Sequence, residues 1–340
     1  MAGRGLGHTG GTIDKLESIK GYQTEITLEH AKRLLEDINV CLITQSKEIA
    51  LADKKIYALR DVSGTVDSIP LVASSIMSKK LASGVDKILI EVTYGSGALV
   101  QDKERATILA KLMVEIAKKS GKEAVALLTS MEEPLGRNVG NSLEVIEAIE
   151  FLNQDREELN NSSDLKNVVF EVCAQMMKMA GYGNNIRENK ERIVETIISG
   201  KAYSKFIELV KGQGGYIKSE YLEGLDKTID IPIIEERAGC KKEIYSTTNG
   251  YIQKINSEKI GKALVELKGG RKKKDEYVDH SAGLVFNKKI GDKVKDGESI
   301  LTIYYNEGAN VEGAVQYITN AIDIKDTVVI KKEHMAEIIV

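Results

Sequence analysis

Lys87-Ile88-Leu89-Ile90-Glu91-Val92 is a short apolar, β-branched run, the kind that makes a strand buried on both faces of a parallel sheet. Val40-Cys41-Leu42-Ile43-Thr44 and Ala124-Val125-Ala126-Leu127-Leu128-Thr129 have the same character. Between these runs, apolar residues recur at helical period over 27–38, 66–81 and 102–118. Strands that alternate with helical crossovers predict an α/β fold, with a mainly parallel sheet and flanking helices. In open α/β sheets, ligands gather where loops leave the carboxyl ends of the strands. Gly95-Ser96-Gly97 and Pro134-Leu135-Gly136 are such loops.

Further along, residues 161–210 read as three amphipathic helices broken at Gly181-Tyr182-Gly183 and at Gly200. Gly212 to Gly215 closes this part. Beyond Ile231-Pro232 the pattern becomes β-rich, with Val265-Glu266-Leu267, Gly283-Leu284-Val285-Phe286 and Ser299-Ile300-Leu301-Thr302-Ile303 as expected strands. A small domain therefore begins near residue 234. Its Ile290-Gly291-Asp292-Lys293-Val294-Lys295-Asp296-Gly297-Glu298 stretch resembles the turn of lipoyl- and biotinyl-like folds, although the modified Lys in its usual hairpin is not evident. This predicts a β-rich, barrel-sandwich-like α+β domain. Arg271-Lys272-Lys273-Lys274 reads as a solvated basic loop.

With 340 residues, the chain can bury a substantial core in two or three domains. A formal charge of -3 supplies no general field for a nucleic acid polymer or an anionic membrane, so phosphate recognition must be local. Cys41, Cys173 and Cys240 are far apart and have no His nearby, which suggests neither a disulfide framework nor a zinc site. The N-terminus lacks an apolar signal region, and no apolar run approaches the ~18 residues of a membrane helix. A cytoplasmic location is the default expectation.

The chain opens on Gly3-Arg4-Gly5-Leu6-Gly7-His8-Thr9-Gly10-Gly11-Thr12-Ile13-Asp14-Lys15-Leu16-Glu17. Glycines beside two threonines let backbone N–H groups close around an anion. This run closely resembles the signature of the pyrimidine and thymidine nucleoside phosphorylases. In that family the signature begins with Ser where this chain has Ala2, and roughly the first quarter of the protein precedes it. The resemblance therefore implies a truncated chain. Thr12 is the phosphate-binding residue that the resemblance carries over; the family's Lys-x-Ser segment and following glycine-rich loop have no counterpart. His8 is read as making a structural hydrogen bond in the loop, since a general acid needs a partner that is not visible.

A second informative region runs through Tyr57-Ala58-Leu59-Arg60-Asp61-Val62 to Ser74-Ser75-Ile76-Met77-Ser78-Lys79-Lys80. On a helix starting near Pro70, Ser75 and Lys79 share one face, with Val72 and Ile76 alongside as an apolar wall. Taken alone, such a pair is the ordinary pattern of a solvated face. The resemblance implies more: Arg60, Ser75 and Lys79 stand where the family binds the polar edge of uracil or thymine, with Arg60 and Lys79 assisting catalysis. Arg and Lys can donate to the base's two carbonyl oxygens, and the Ser hydroxyl can accept from its ring N–H. Donors aimed at charge developing on the leaving base stabilise the transition state more than the ground state. The competing reading of Arg60 is a surface ion pair with Asp61 or Asp67.

The resemblance also places a monovalent cation, potassium, at Leu135, Asn138 and Glu147, through backbone oxygens of the first two and the Glu147 carboxylate. Oxygen ligands suit a hard cation. The family often has Ala at Asn138, and Glu147 reads equally as a solvent-facing helix residue. Gly95-Ser96-Gly97-Ala98 matches a further family run in which the Lys and Phe positions are Thr93 and Leu99 here. Leu99 then keeps apolar contact with the base as its wall but loses the aromatic face.

The resemblance spans Gly3 to about residue 325. It implies phosphorolysis of pyrimidine nucleosides (uridine, thymidine, deoxyuridine) to free base and pentose 1-phosphate, with inorganic phosphate as co-substrate, no organic cofactor, and a homodimer in the full-length form. The domains it implies are 1–51, the first part of an α/β phosphate-binding domain; 52–82, the remnant of a helical base-binding domain; 83–233, the rest of the α/β domain; and 234–340, the C-terminal α+β domain. The alternatives are a thymidine-specific phosphorylase, a phosphoribosyltransferase of the anthranilate-using kind, and an inactive pyrimidine-binding fragment. The Arg60, Ser75 and Lys79 set and the C-terminal domain argue against the phosphoribosyltransferase.

Overall fold

The computed structural model describes residues 2–5, 7–44, 52–53, 56, 63–65, 68–161, 163–216, 238–273, 276–330 and 334–340. In chain order, the first half holds α1 (Thr12–Glu17), α2 (Leu28–Ile38), α3 (Ile69–Ala82), β1 (Lys87–Tyr94), α4 (Lys103–Lys119), β2 (Glu123–Ser130), β3 (Asn138–Val139) and α5 (Asn141–Leu152). Helices α6 (Arg156–Asn160), α7 (Asp164–Met179), α8 (Ile186–Ile198) and α9 (Lys201–Gly212) follow. The remainder holds β4 (Cys240–Tyr245), β5 (Gly250–Ile255), α10 (Ser257–Glu266), β6 (Gly283–Phe286), β7 (Lys293–Val294), β8 (Ser299–Tyr305), α11 (Val311–Ala321), β9 (Ile322–Lys325) and β10 (Met335–Ile339). The molecule is therefore α/β.

Two compact units emerge, each assembled from separate stretches of chain. One comprises Met1–Thr44, Glu133–Asn160 and Glu195–Lys331; the other comprises Gln45–Glu132, Asn161–Val194 and Lys332–Val340.

In the second unit, β1 and β2 pair in parallel from Lys87 opposite Glu123 to Tyr94 opposite Ser130. Strand β10 adds to β2 in the antiparallel sense. Helices α3 and α4 cover one face, burying Val72, Met77, Leu109 and Met113 with Ile90 and Leu128. Asp102 starts α4 by accepting the Arg105 N–H at 2.8 Å, which satisfies an amide that the first helical turn leaves without a partner.

The first unit contains a four-stranded sheet in the order β3-β6-β8-β4 and a three-stranded sheet in the order β7-β5-β9, all of whose pairings are antiparallel. Ile252, Leu284, Phe286, Ile303 and Ile318 form their shared core. A second cluster joins α1 to α5 and α9 through Leu16, Ile19, Ile149 and Val210.

Two expected strands are not strands. Over 40–43 the chain belongs to no named element, and Thr44 makes only an isolated parallel bridge with Ala2. The reason is Gln213, which is fully buried. Its carboxamide accepts the Leu42 N–H at 2.8 Å and donates to the Leu42 carbonyl at 2.9 Å, so one side chain does for Leu42 what a neighbouring strand would do. The Val265-Glu266-Leu267 run instead ends α10. Asn256 caps that helix by accepting the Lys259 N–H at 2.9 Å, and buried Ile260, Ala263, Leu264 and Leu267 recur at helical spacing.

Candidate active site

Ser75 and Lys79 are brought together as their spacing requires. Both lie on α3, where Ser75 is buried and Lys79 Nζ is 3.5 Å from Ser75 Oγ. The same ammonium is 3.0 Å from Asp53 Oδ2, and the carboxylate side chain is 9% exposed against 33% for the lysine. Asp53 is a partner of Lys79 that sequence reasoning missed. Arg60, with Asp61 and Asp67, lies outside the described residues.

Leu99 is 70% exposed. It borders a cavity of about 260 Å³ with Ile69 and Val72 from the start of α3 and with Gln101, Asp102 and Arg105 at the start of α4. Val72 stands one helical turn before Ser75, so this apolar space opens along the helix that carries the Ser/Lys pair. The preceding loop is tied across the sheet ends: Gly97 donates to the Met131 carbonyl at 3.1 Å, and Ser96 Oγ to the Glu132 carbonyl at 3.2 Å.

In the first unit, the glycine-rich run folds back on itself. A Cβ at Gly11 would lie 2.0 Å from the Gly5 nitrogen, so these two positions must be glycine for steric reasons alone. The Asp14 carboxylate, 3% exposed, accepts the Gly5 N–H at 2.7 Å and is bound by Arg271 Nη1 at 2.6 Å. Arg271 was expected in a solvated loop, but its guanidinium is turned inward to this buried partner, and its carbonyl accepts the Gly7 N–H at 3.1 Å. Arg4 pairs with Glu17 through both guanidinium ends. Thr12 opens α1 and is exposed. The enclosed Nε2 of His8 has no hydrogen-bond partner among the described residues. Burial holds the His280 imidazole below its ordinary value, and the carboxylates of Asp14 and Glu17 oppose that shift.

The structure also sets Glu147, on α5, against the turn that carries Leu135 and Asn138, again in the first unit. Glu147 Oε1 accepts the Arg137 N–H at 2.7 Å, and its Oε2 accepts the Asn138 N–H at 3.2 Å. Gly136, at φ +71, lets the carboxylate come this close, because a Cβ there would sit 2.5 Å from Glu147 Oε2. Glu147 thus clamps the loop. From the other side, Lys289 Nζ donates to the carbonyls of Pro134 and Gly136.

The glycine-rich loop with Thr12 and the carboxylate-clamped loop belong to the first unit, and the Ser/Lys pair to the second. Residues 1–203 match the glycosyl transferase family a/b domain, and residues 251–325 match the pyrimidine nucleoside phosphorylase C-terminal domain. The chain is 42% identical over 325 residues to the pyrimidine-nucleoside phosphorylase of Staphylococcus haemolyticus (strain JCSC1435), an alignment covering 96% of this chain and 72% of that relative. It is 43% identical over 330 residues to the pyrimidine-nucleoside phosphorylase of Staphylococcus aureus (strain bovine RF122 / ET3-1), covering 97% and 72% respectively. The chain belongs to the pyrimidine-nucleoside phosphorylase family.

Proposed function

We propose that the chain acts as a pentosyltransferase on pyrimidine nucleosides: inorganic phosphate attacks the pentose C1′, a C–O bond forms, and the C–N bond to the base breaks. The electron pair of that bond leaves with the base, which takes up a proton, giving free base and pentose 1-phosphate. The observation that carries this reading is the Lys79 ammonium held between Ser75 Oγ and Asp53 Oδ2. A donor so placed can meet a base carbonyl as negative charge builds there, and Ser75 can accept from the ring N–H. Arg60 is the second charged donor in this reading, Leu99 is the apolar wall, and Thr12 takes a phosphate oxygen. Uridine, thymidine and deoxyuridine are the proposed nucleosides.

The test is Lys79→Ala in a phosphorolysis assay with uridine and thymidine. Loss of one charged donor to the leaving base is expected to lower turnover by roughly tenfold to over a hundredfold, equivalent to ~1.5–3 kcal/mol. Unchanged uridine cleavage would remove Lys79 from the site.

Further parts of the reading are a potassium ion held by the Leu135 and Asn138 carbonyls and the Glu147 carboxylate, a homodimer, and a cytoplasmic location. The absence, among the described residues, of any helix long and apolar enough to cross a membrane is consistent with the last of these. The mainly parallel α/β phosphate domain, the helical base-binding segment around α3 and the barrel-sandwich-like C-terminal domain belong to the same proposal, supported by the parallel β1–β2 pair and the antiparallel pairing of strands β4 to β9. The ion is tested with Glu147→Gln: removing its negative charge should weaken activation by potassium, and identical titration curves for both proteins would exclude Glu147 as a ligand.

A further inference from the structure

The loop at 133–138 is held from two sides by groups of opposite charge. Its amides at Arg137 and Asn138 point to the Glu147 carboxylate. Its carbonyls at Pro134 and Gly136 point the other way, to Lys289 Nζ, the second at 2.7 Å. Lys289 also has Glu133 Oε2 at 3.6 Å, and that oxygen accepts the Ile290 N–H at 3.1 Å.

Lys289 is 4% and Glu133 3% exposed. Removing a lysine and a carboxylate from water is unfavourable, and replacing such a pair by apolar side chains is often neutral or stabilising. Stability alone therefore does not account for an ammonium here. What it does supply is a cation that cannot dissociate, set against backbone carbonyls that otherwise repel one another at close range. Lys289 itself is fixed at its base, because its N–H donates to Asp292 Oδ2 at 2.8 Å in the turn before β7. Arg137 completes the attachment by donating to the carbonyls of Phe286 and Asn287, both at 3.0 Å.

We propose that Lys289 is a positioning residue for the phosphorolysis site: its ammonium is the resident cation of the 133–138 loop and sets the geometry in which Leu135 and Asn138 are presented. The C-terminal region thereby acts on the reaction through one side chain. The link to catalysis rests on the function proposed above; the link to loop geometry does not.

The experiment compares wild type with Lys289→Met, which keeps the apolar stem and removes the charge, and Lys289→Ala, which leaves space for a small amine. Trypsin cleavage after Arg137, followed by mass spectrometry, reads the loop without reference to activity. Buried carbonyls left without their donor, and a buried carboxylate left without its counter-charge, should make that cleavage at least about tenfold faster in Lys289→Met, through a larger population of opened loop, and lower turnover by a similar factor. Methylammonium should restore slow cleavage and turnover to Lys289→Ala, and choline at equal ionic strength should not. Wild-type cleavage and turnover in Lys289→Met would overturn the proposal, as would equal effects of methylammonium and choline. If neither variant folds, acetylation of the folded wild-type protein decides: Lys289 should react at least about tenfold more slowly than exposed Lys241, and equal rates would overturn the assignment. A wild-type protein that fails to cleave nucleosides refutes the function proposed above and leaves the cleavage and acetylation results to judge Lys289.

Discussion

Lys79 alone, on a flexible stem and one-third exposed, would spread its charge over many positions. Asp53 restricts it. The carboxylate is nearly buried and 3.0 Å from Nζ, so the ammonium is held beside Ser75, and in the proposed site less conformational entropy would be lost on binding a base. Asp53→Asn keeps the shape and removes that pull. Its kcat/KM for uridine should fall by about three- to tenfold, a modest figure because the lysine is partly solvated; a value equal to wild type would show that Asp53 does not orient Lys79. The Ser75 and Lys79 pairing was legible because residues four apart on a helix must share a face. Asp53 and Arg271 were not. Each acts through a partner distant in sequence, Lys79 for one and Asp14 for the other, and nothing in the local spelling of a basic run separates a solvated arginine from one turned inward.

At the level of elements, periodicity carried most of the information. Strands β1 and β2 and helices α2, α4, α7, α8 and α9 fall where apolar spacing, caps and glycines place them. The exceptions have physical causes: Gln213 substitutes for a strand partner at Leu42, and the Asn256 cap commits the Val265 region to helix. The glycine-rich run was legible as a tight loop, but its fastening was not. Its Gly5 N–H and the Arg271 guanidinium converge on Asp14, and His280 lies close enough to feel both acids and the arginine. Burial lowers the His280 pKa from its ordinary 6.5, so below that value the unfolded chain binds the proton more readily than the folded one. Stability from this group is therefore full above pH 6.5 and is lost as pH falls from there through the lower folded value. Melting curves of wild type and His280→Gln should converge toward acid, with the variant showing a shallower decline below pH 6.5. Parallel acid limbs would mean that His280 titrates alike in both states.

At the scale of the whole chain, each compact unit draws on three separated stretches. Such exchange is set by contacts between distant residues, to which local periodicity is blind. Charge is legible at this scale because it is a sum: 48 Lys and Arg against 51 Asp and Glu. The basic side chains around the glycine-rich loop do not alter that balance, since Arg4 pairs with Glu17, Arg271 with Asp14, and Lys15 with Glu144. Phosphate approaching this protein therefore meets no strong positive field, and its capture depends on short-range donors rather than on steering. Steered association gains roughly 10- to 1000-fold in rate and loses it steeply as salt rises. Here kcat/KM for phosphate should change by less than about threefold between low and physiological ionic strength, while release of free base from uridine stays dependent on added phosphate. Steady-state assays at constant potassium, with choline chloride setting the ionic strength, measure both. A fall of about tenfold or more with salt would reveal a steering field that the paired arginines do not supply; base release without phosphate would mark the reaction as hydrolysis and set aside pentosyl transfer to phosphate.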